Sequence, residues 1–165
     1  MADIPPTPKE YIFFYNYYDK ETGYLSNFSI HSFKDDRLFD TIERYMHYKK
    51  AMLFNDIHIA EQIMSSSTAY QTKMLGRKVK NFNQKIWDLN KKNIVKTGIQ
   101  FKFKQNFAIS QQLLATGNKY LVEAAKNDKI WGIGYSSSDA LTNINSWGQN
   151  LLGEILMEIR AEINS

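Results

Sequence analysis

Three side chains in the segment 41–51 have types and spacing that could do chemistry together. Glu43, His47 and Lys50 stand at positions i, i+4 and i+7, which places them on one face of a helix. A carboxylate there can transfer protons, and an amine that is short of solvent can attack a carbonyl or imine carbon. The spacing alone leaves a second interpretation open, in which Glu43 only favours the helix dipole and Lys50 is solvated.

The same residues do not predict a metal centre. No second histidine stands four residues from His47, and His31 and His58 have no ligand spacing. The chain has no cysteine, which excludes disulfides, cysteine-based zinc sites and a thiol nucleophile. We therefore expect neither a metal nor another cofactor.

A second cluster, in the segment 128–134, is typical of a pocket for a flat, polar ligand. Asp128 can accept hydrogen bonds from ribose hydroxyls, Trp131 can stack on a heterocycle, and Gly132 and Gly134 expose main-chain N–H groups. Trp87 offers another flat face. Tryptophan is more often a core residue, so neither indole is diagnostic by itself.

The charge of the chain is mildly basic and favours phosphate-bearing ligands. Of the 21 basic residues, 17 are lysines spread along the sequence, and the net charge is +4. Arg77, which follows Gly76, is one of only four arginines and can bind a phosphate through its guanidinium. Scattered lysines are a weak basis for reading bases, so sequence-specific nucleic-acid recognition is not indicated.

The hydrophobic pattern predicts an α+β fold that is mostly α-helical, with a small N-terminal strand element. Extended segments are predicted at 11–18, 24–28 and 33–39, the last with a turn at Asp35 and Asp36. Thr41 is a predicted N-cap, and Gly76, Gly98 and Gly117 are predicted breaks or C-caps. The predicted helices span residues 41–54, 56–64, 67–75, 83–96, 99–115 and 151–163.

The predicted organisation is a flexible N-terminal arm at residues 1–10, which holds all three prolines, followed by one domain at residues 11–165. Neither a signal peptide nor an apolar run long enough for a membrane span is recognisable, and a cytoplasmic location is expected. Nothing in the sequence predicts an oligomeric state.

Many spaced elements, taken in order, resemble the NADAR family, also called YbiA-like. The resemblance runs from about residue 12 to 162. Two positions depart from the family pattern, which usually has His and Gln where this chain has Arg44 and His47. The elements that carry the resemblance are Leu25-Ser26-Asn27-Phe28, Thr41-Ile42-Glu43 through Lys50-Ala51, Gly76-Arg77, Trp87, Lys102-Phe103, Thr116-Gly117, Val122-Glu123, Asp128 with Trp131-Gly132-Ile133-Gly134, and Gly148-Gln149-Asn150-Leu151-Leu152-Gly153 with Arg160.

The resemblance implies an N-glycosidase. Family members remove ADP-ribose from modified guanine in nucleic acid, or split ribose-phosphate intermediates of riboflavin synthesis. By resemblance, the catalytic residues are Glu43, Lys50 and Asp128. The resemblance also points to Trp87 and Trp131 as substrate-binding residues. Together with the residue types discussed above, it leads us to predict substrate contacts from Asn27, His47, Arg77, Trp87, Trp131, Gly132 and Gly134.

Two mechanisms fit such substrates. In one, Lys50 forms a transient Schiff base at C1 of the ribose while Glu43 moves protons. In the other, Glu43 or Asp128 activates water against an oxocarbenium-like centre. The competing class is a non-catalytic module that binds ADP-ribose or a nucleotide. The paired Glu43 and Lys50 favour an enzyme over that module.

Overall fold

The computed structural model describes residues 10–165. The predicted N-terminal arm, at residues 1–10, lies outside the described residues except for Glu10. The chain forms two compact units, one built from the described part of Met1–Ser26 together with Ala108–Ser165, and one from Asn27–Phe107. Across residues 10–165, none of the helices combines the length and the apolar character that crossing a membrane requires.

The first unit is organised around a short parallel strand pair. Strand β1 (Tyr11–Phe14) pairs with a strand near residue 120, with Tyr11 opposite Tyr120 and Phe14 opposite Glu123. Buried Tyr11, Val122 and Ile133 form a core cluster, against which Trp147 packs. In the last helix, the apolar residues at three- and four-residue intervals form a buried stripe, as an amphipathic helix requires. These residues are Leu152, Ile155, Leu156 and Ile159.

Among its described residues, the second unit contains four helices and a β-hairpin whose two strands have two residues each. The hairpin pairs Phe33 with Phe39, and Phe33, Phe39 and Tyr45 form an aromatic cluster with ring centroids 4.9–5.8 Å apart. In chain order its elements are β2 (Phe33–Lys34), β3 (Leu38–Phe39), α1 (Ile42–Leu53), α2 (Ile57–Ser65), α3 (Ala69–Gly76) and α4 (Gln84–Gln105).

The elements that follow in the chain belong to the first unit, apart from Phe107 at the start of α5. They are α5 (Phe107–Ala115), β4 (Tyr120–Glu123), α6 (Ser137–Ala140) and α7 (Leu151–Ile163).

The α+β, mostly helical fold class is confirmed, but some predicted elements are wrong. The predicted strand at 11–18 ends at Phe14, and residues 23–25 form a 3-10 helix instead of an extended segment. Strand β4 follows the predicted helix 99–115, at residues where no strand was predicted. The predicted strand element is therefore not purely N-terminal, because β1 needs β4 as its partner.

Gly98 is not a helix break. It lies inside α4, which runs without interruption from the predicted segment 83–96 into the predicted segment 99–115 and ends at Gln105. The rest of the second predicted segment forms a separate helix, Phe107–Ala115. A Cβ at position 98 would collide with the ring of Tyr45. The glycine therefore serves close packing of α4 on α1, which outweighs its unfavourable helix propensity of about 1 kcal/mol.

Candidate active site

The N-terminus of α1 holds Glu43 in a fixed position. Thr41 caps the helix, and its side chain accepts a hydrogen bond from Arg44 N at 3.1 Å. The main-chain N–H of Glu43 donates to the carbonyl oxygen of Asn27 at 3.0 Å. The backbone that carries Glu43 is thereby tied both to its own cap and to the segment that precedes β2.

Glu43 and His47 form a buried pair. His47 Nε2 lies 2.9 Å from Glu43 Oε1, and both side chains are more than nine-tenths buried. With Glu43 ionised, the carboxylate can only accept, so the proton in this bond belongs to Nε2. The imidazole therefore fixes the direction in which the carboxylate points.

Gly76, at the end of α3, makes room for this imidazole. A Cβ on residue 76 would collide with His47 Nδ1. Nδ1 itself is buried and has no hydrogen-bond partner among residues 10–165. The close approach of the ring therefore limits position 76 to glycine. From the sequence pattern, this glycine was predicted only as a break or C-cap of the helix.

Lys50 is half-buried on the same helix, two turns beyond Glu43. Its Nζ donates to the carbonyl oxygen of Gly76 at 2.9 Å. Burial lowers the pKa of Lys50 below its ordinary value, and the positive charge of Arg77 lowers it further, while Glu43 acts in the opposite direction. A lysine in these surroundings loses its proton more readily than one in water, which a nucleophilic amine requires.

Two aromatic rings lie beside this amine, and they differ in exposure. Nζ of Lys50 is 4.6 Å from the centroid of Phe82 and 5.7 Å from that of Trp87. Trp87 is 8% exposed and Phe82 is 41% exposed. Phe82, held edge to face against Phe54 at 5.3 Å, is therefore the ring that a ligand near Lys50 can reach, and sequence reasoning missed it.

Arg77 is exposed directly after α3, at its C-cap position. We expect Arg77→Gln to move the rising limb of the pH profile of kcat to higher pH. If Lys50 is the nucleophile, as the sequence predicts, its amine must be neutral to attack, and kcat then rises with pH through the pKa of Lys50. Loss of the Arg77 charge removes one cause that lowers this pKa. The pKa of Lys50 therefore rises, and the rising limb of the pH profile moves to higher pH. Stopped assays across pH measure the effect.

The control for this shift is Arg37→Gln, which removes an arginine paired with Glu61 at 2.6 Å. It should leave the limb in place. A limb that stays fixed in Arg77→Gln, or that moves to lower pH, would contradict the coupling between Arg77 and Lys50.

The segment 128–134 belongs to the first unit and is held by local hydrogen bonds. Asp128 Oδ1 accepts from Ile130 N at 2.8 Å and from Trp131 N at 2.9 Å. A Cβ on Gly132 would lie 2.8 Å from the carbonyl oxygen of Glu123, and Gly134 has a φ of +83°. These contacts give Asp128, Gly132 and Gly134 a structural purpose, and their functional roles stay predictions.

Asn150 has a structural role in the first unit that its sequence position does not indicate. It lies in the left-handed region, with φ 50°, ahead of α7. Its side chain accepts from Glu123 N and donates to Leu121 O, each at 2.9 Å. Asn150 therefore links the start of α7 to β4. Among residues 10–165, no group of three or more His, Asp or Glu side chains could hold a metal ion.

The chain is similar to a solved structure and to several proteins of known name. The NMR structure of the E. coli protein YbiA superposes with a TM-score of 0.77 at 30% identity, covering 93% of this chain and 84% of that one. An N-glycosidase of Acanthamoeba polyphaga mimivirus is 50% identical over 123 residues, which are 73% of this chain and 72% of that protein. A riboflavin biosynthesis protein of Vibrio vulnificus is 31% identical over 117 residues, 71% of this chain and 29% of that protein.

The NADAR domain model matches residues 13–164. The chain therefore belongs to the NADAR family, and the resemblance seen in its spaced sequence elements is confirmed.

Proposed function

We propose that the chain is an N-glycosidase that hydrolyses the bond between C1 of a ribose and an exocyclic amine of a base. Family membership supports this activity, and so does the name of the mimiviral relative. The observation that carries the proposal is the face of α1, where a buried carboxylate, Glu43, and a half-buried amine, Lys50, lie two turns apart. These are the two groups that the chemistry needs.

The reaction begins with the nitrogen that leaves. Its lone pair opens the sugar ring to an iminium at C1 as the C1–O bond breaks, and the ring oxygen takes a proton. The neutral amine of Lys50 adds to C1 and forms a C–N bond. Proton transfer to the base-derived nitrogen lets it depart as an amine, which leaves an imine on Lys50. Water then adds to C1, releases Lys50, and the sugar closes again.

Glu43 is the group that moves these protons. It stands on the same helix face as Lys50, and its contact with His47 at 2.9 Å keeps the carboxylate in one orientation. His47 is committed to Glu43 through Nε2. This contact supports a role for His47 in orienting Glu43, in addition to the substrate contact that the sequence predicts for His47. Arg77, exposed next to Gly76, is suited to the phosphate of the substrate.

The alternative chemistry forms no bond to Lys50. Glu43 or Asp128 would activate a water molecule against an oxocarbenium-like C1, as the carboxylates of glycosidases do. The lowered pKa of Lys50 supports the adduct route, because a solvated lysine would be protonated and could not attack.

A non-catalytic binding module is the competing class of function. Such a module needs a face for the base and a cation for the phosphate, but it gains nothing from burying an acid beside an imidazole. Burying Glu43 and His47 costs hydration free energy. A catalytic role of the pair explains why this cost is tolerated, which supports an enzyme over a binding module.

One experiment tests the activity directly. Purified protein is incubated separately with ADP-ribosylated guanine in an oligonucleotide and with an amino-linked ribose-phosphate intermediate of riboflavin synthesis. Chromatography then detects released ADP-ribose or released base. We expect turnover of at least one substrate. Absence of release from both, by protein that is folded, would contradict the N-glycosidase proposal.

The exposed ring of Phe82 leads to a prediction on substrate binding. Phe82→Ala is expected to raise KM by about tenfold, in line with the ~1–3 kcal/mol that an aromatic–base contact provides. The variant should stay folded, because Phe82 is 41% exposed. Steady-state kinetics measure KM, and urea unfolding checks the fold.

Trp87→Ala is the informative comparison for Phe82→Ala. Trp87 is buried, so its removal should lower the free energy of unfolding, unlike removal of Phe82. An unchanged KM in Phe82→Ala would remove Phe82 from the substrate site. A folded Trp87→Ala with a raised KM would return the stacking role to Trp87.

A further inference from the structure

Lys102 is a buried lysine that the chemistry at Lys50 does not use. It lies on α4, and only 2% of its surface is exposed. Lysine is rarely buried to this extent, because the ammonium loses its hydration. Burial lowers the pKa of Lys102 from its ordinary value to about 7. An amine that is costly to bury does not owe its place to stability alone.

The amine of Lys102 reaches a segment that has neither helix nor strand. Its Nζ donates to Ser29 Oγ at 2.9 Å, and Ser29 is also buried. Ser29 lies in residues 27–32, which precede β2 and have no regular secondary structure. Such a segment has no backbone ladder to hold it, so its position depends on contacts from side chains. Lys102 supplies one of these contacts from α4.

The hydroxyl of Ser29 is shared between two basic side chains. His31 Nδ1 lies 3.3 Å from Ser29 Oγ. Burial and the positive charge of Lys102 both lower the pKa of His31, so its ring is neutral near neutral pH and Nδ1 can accept. The hydroxyl can therefore accept from Lys102 and donate to His31. If Lys102 is removed, the hydroxyl still has His31 as a partner.

Two other side chains at the end of α4 hold the same stretch of chain, but they do so at the surface. Gln105 exchanges hydrogen bonds with the main chain of Lys34 at 2.7 and 2.8 Å, and Asn106 Nδ2 donates to the carbonyl oxygen of Ser32 at 3.0 Å. These contacts are exposed, and water competes for the same groups. Among the contacts named here, the one from Lys102 is shielded from water.

The segment 27–32 also carries a backbone contact of Glu43. The main-chain N–H of Glu43 donates to the carbonyl oxygen of Asn27 at 3.0 Å, and Asn27 is two residues from Ser29. A shift of this segment on α4 therefore moves the carbonyl that holds the start of α1. A misplacement of about 1 Å at a reacting group can lower a rate by about 100-fold.

We propose that Lys102 is a positioning residue for the reaction, which holds the segment 27–32 on α4 through Ser29 and thereby holds the backbone of Glu43. Lys102 acts without touching the substrate. The proposal rests on the N-glycosidase function, in which Glu43 moves protons, and extends it to a residue outside α1. Burying the amine then lowers stability and favours activity, a trade-off that is common at functional sites.

Amide hydrogen exchange measured by NMR tests this anchor without requiring turnover. In Lys102→Met, the amide of Glu43 is expected to exchange about tenfold faster, because its acceptor is less firmly held. The amide of Arg44, which donates to Thr41 Oγ1 within the cap of α1, should exchange at the rate of the unmodified chain. Equal acceleration of both amides would indicate a general loss of stability and overturn the positioning role.

Urea unfolding separates a positioning role from a structural one. Replacing a buried charged group by an apolar side chain of similar volume is often neutral or stabilising. Lys102→Met should therefore have a urea midpoint at or above that of the unmodified chain. Ser29→Ala removes the other side of the contact and should accelerate exchange at Glu43 in the same way. The double variant should add little, because both changes remove one interaction. If Lys102→Met does not fold, Ser29→Ala decides the test.

The kinetic arm uses the substrate that is turned over in the activity assay. Lys102→Met should lower kcat by about tenfold or more and change KM by a smaller factor. Lys91→Met is the matched control, because Lys91 is also buried on α4 but pairs with Asp88 at 2.7 Å. It should leave both kcat and the exchange of the Glu43 amide unchanged.

The outcomes distinguish this proposal from the N-glycosidase function. An unchanged kcat in folded Lys102→Met would overturn the positioning role even though hydrolysis is seen. Selective acceleration of exchange at Glu43, in a chain that hydrolyses neither substrate, would support the anchor and overturn the N-glycosidase function instead.

Discussion

Glu43→Gln is expected to lower kcat by about 100-fold or more, the usual cost of losing a positioned general acid or base. The substitution keeps the size of the side chain and leaves an amide oxygen that can still accept from His47 Nε2, whose distance to Oε1 is 2.9 Å. Only the capacity to take up and release a proton is lost. Single-turnover kinetics with saturating enzyme measure the effect on the chemical step.

Glu61→Gln is the matched control for Glu43→Gln. Glu61 lies on α2, where its partly exposed carboxylate pairs with Arg37, and its loss should leave kcat at the value of the unmodified chain. Urea unfolding should place both variants within about 1 kcal/mol of that chain, since neither removes packed apolar volume. A near-normal rate in folded Glu43→Gln would remove Glu43 from the mechanism.

The helix face that carries Glu43, His47 and Lys50 was predictable because it depends on local information. Thr41 as N-cap, and the i, i+4 and i+7 spacing of Glu43, His47 and Lys50, are properties of one continuous segment. The structure has the helix at Ile42–Leu53 with Thr41 as its cap. Helical spacing alone places the three residues on one face.

The contacts that shape this face come from distant segments, and the sequence did not predict them. Gly76 contributes the carbonyl oxygen that accepts from Lys50 and the space for His47. Its position in the sequence shows only a glycine at the end of a helix. Whether a glycine marks a break or a close approach depends on what packs against it, as Gly98 shows in the middle of α4.

Phe82 was missed for a related reason. It lies between Asn81, whose φ is 59°, and Asn83, which caps α4. An aromatic residue in a short polar turn has no periodicity to mark its side chain as buried or exposed. The available signal was the turn itself, because a large apolar residue in a loop is unusual and often belongs to a binding surface.

Strand β4 shows a limit of periodicity in short elements. Its four residues include buried Leu121 and Val122 but no extended alternation. A run of this length cannot be told from part of a helix by period alone. Its assignment depends on pairing with β1, which is about 110 residues away in the sequence and has no local signature.

Lys50→Arg is expected to retain ligand binding and to lower kcat by about 1,000-fold or more, because loss of a covalent nucleophile is among the most costly changes in an enzyme. Arginine keeps a positive charge and can still donate to the carbonyl oxygen of Gly76. It stays protonated at any usable pH and cannot form an imine with C1. Titration with ADP-ribose and single-turnover kinetics measure the two effects separately.

Lys49→Arg is the matched control for Lys50→Arg. Lys49 is adjacent in sequence, but its amine lies 3.2 Å from both Asp35 and Asp36, which keeps it paired with carboxylates. Its replacement should leave turnover unchanged. The comparison separates the loss of any lysine on α1 from the loss of the amine that is bonded to Gly76.

Borohydride trapping tests the adduct itself. Borohydride added during turnover delivers hydride to the imine carbon and converts the C1–Nζ double bond into a stable secondary amine. Mass spectrometry should then find the sugar on the peptide that contains Lys50, in the unmodified chain and in Lys49→Arg but not in Lys50→Arg. Substantial turnover by Lys50→Arg, together with no trapped sugar in the unmodified chain, would assign the reaction to water activated by Glu43 or Asp128. The half-buried amine of Lys50 would then serve only to attract the phosphate.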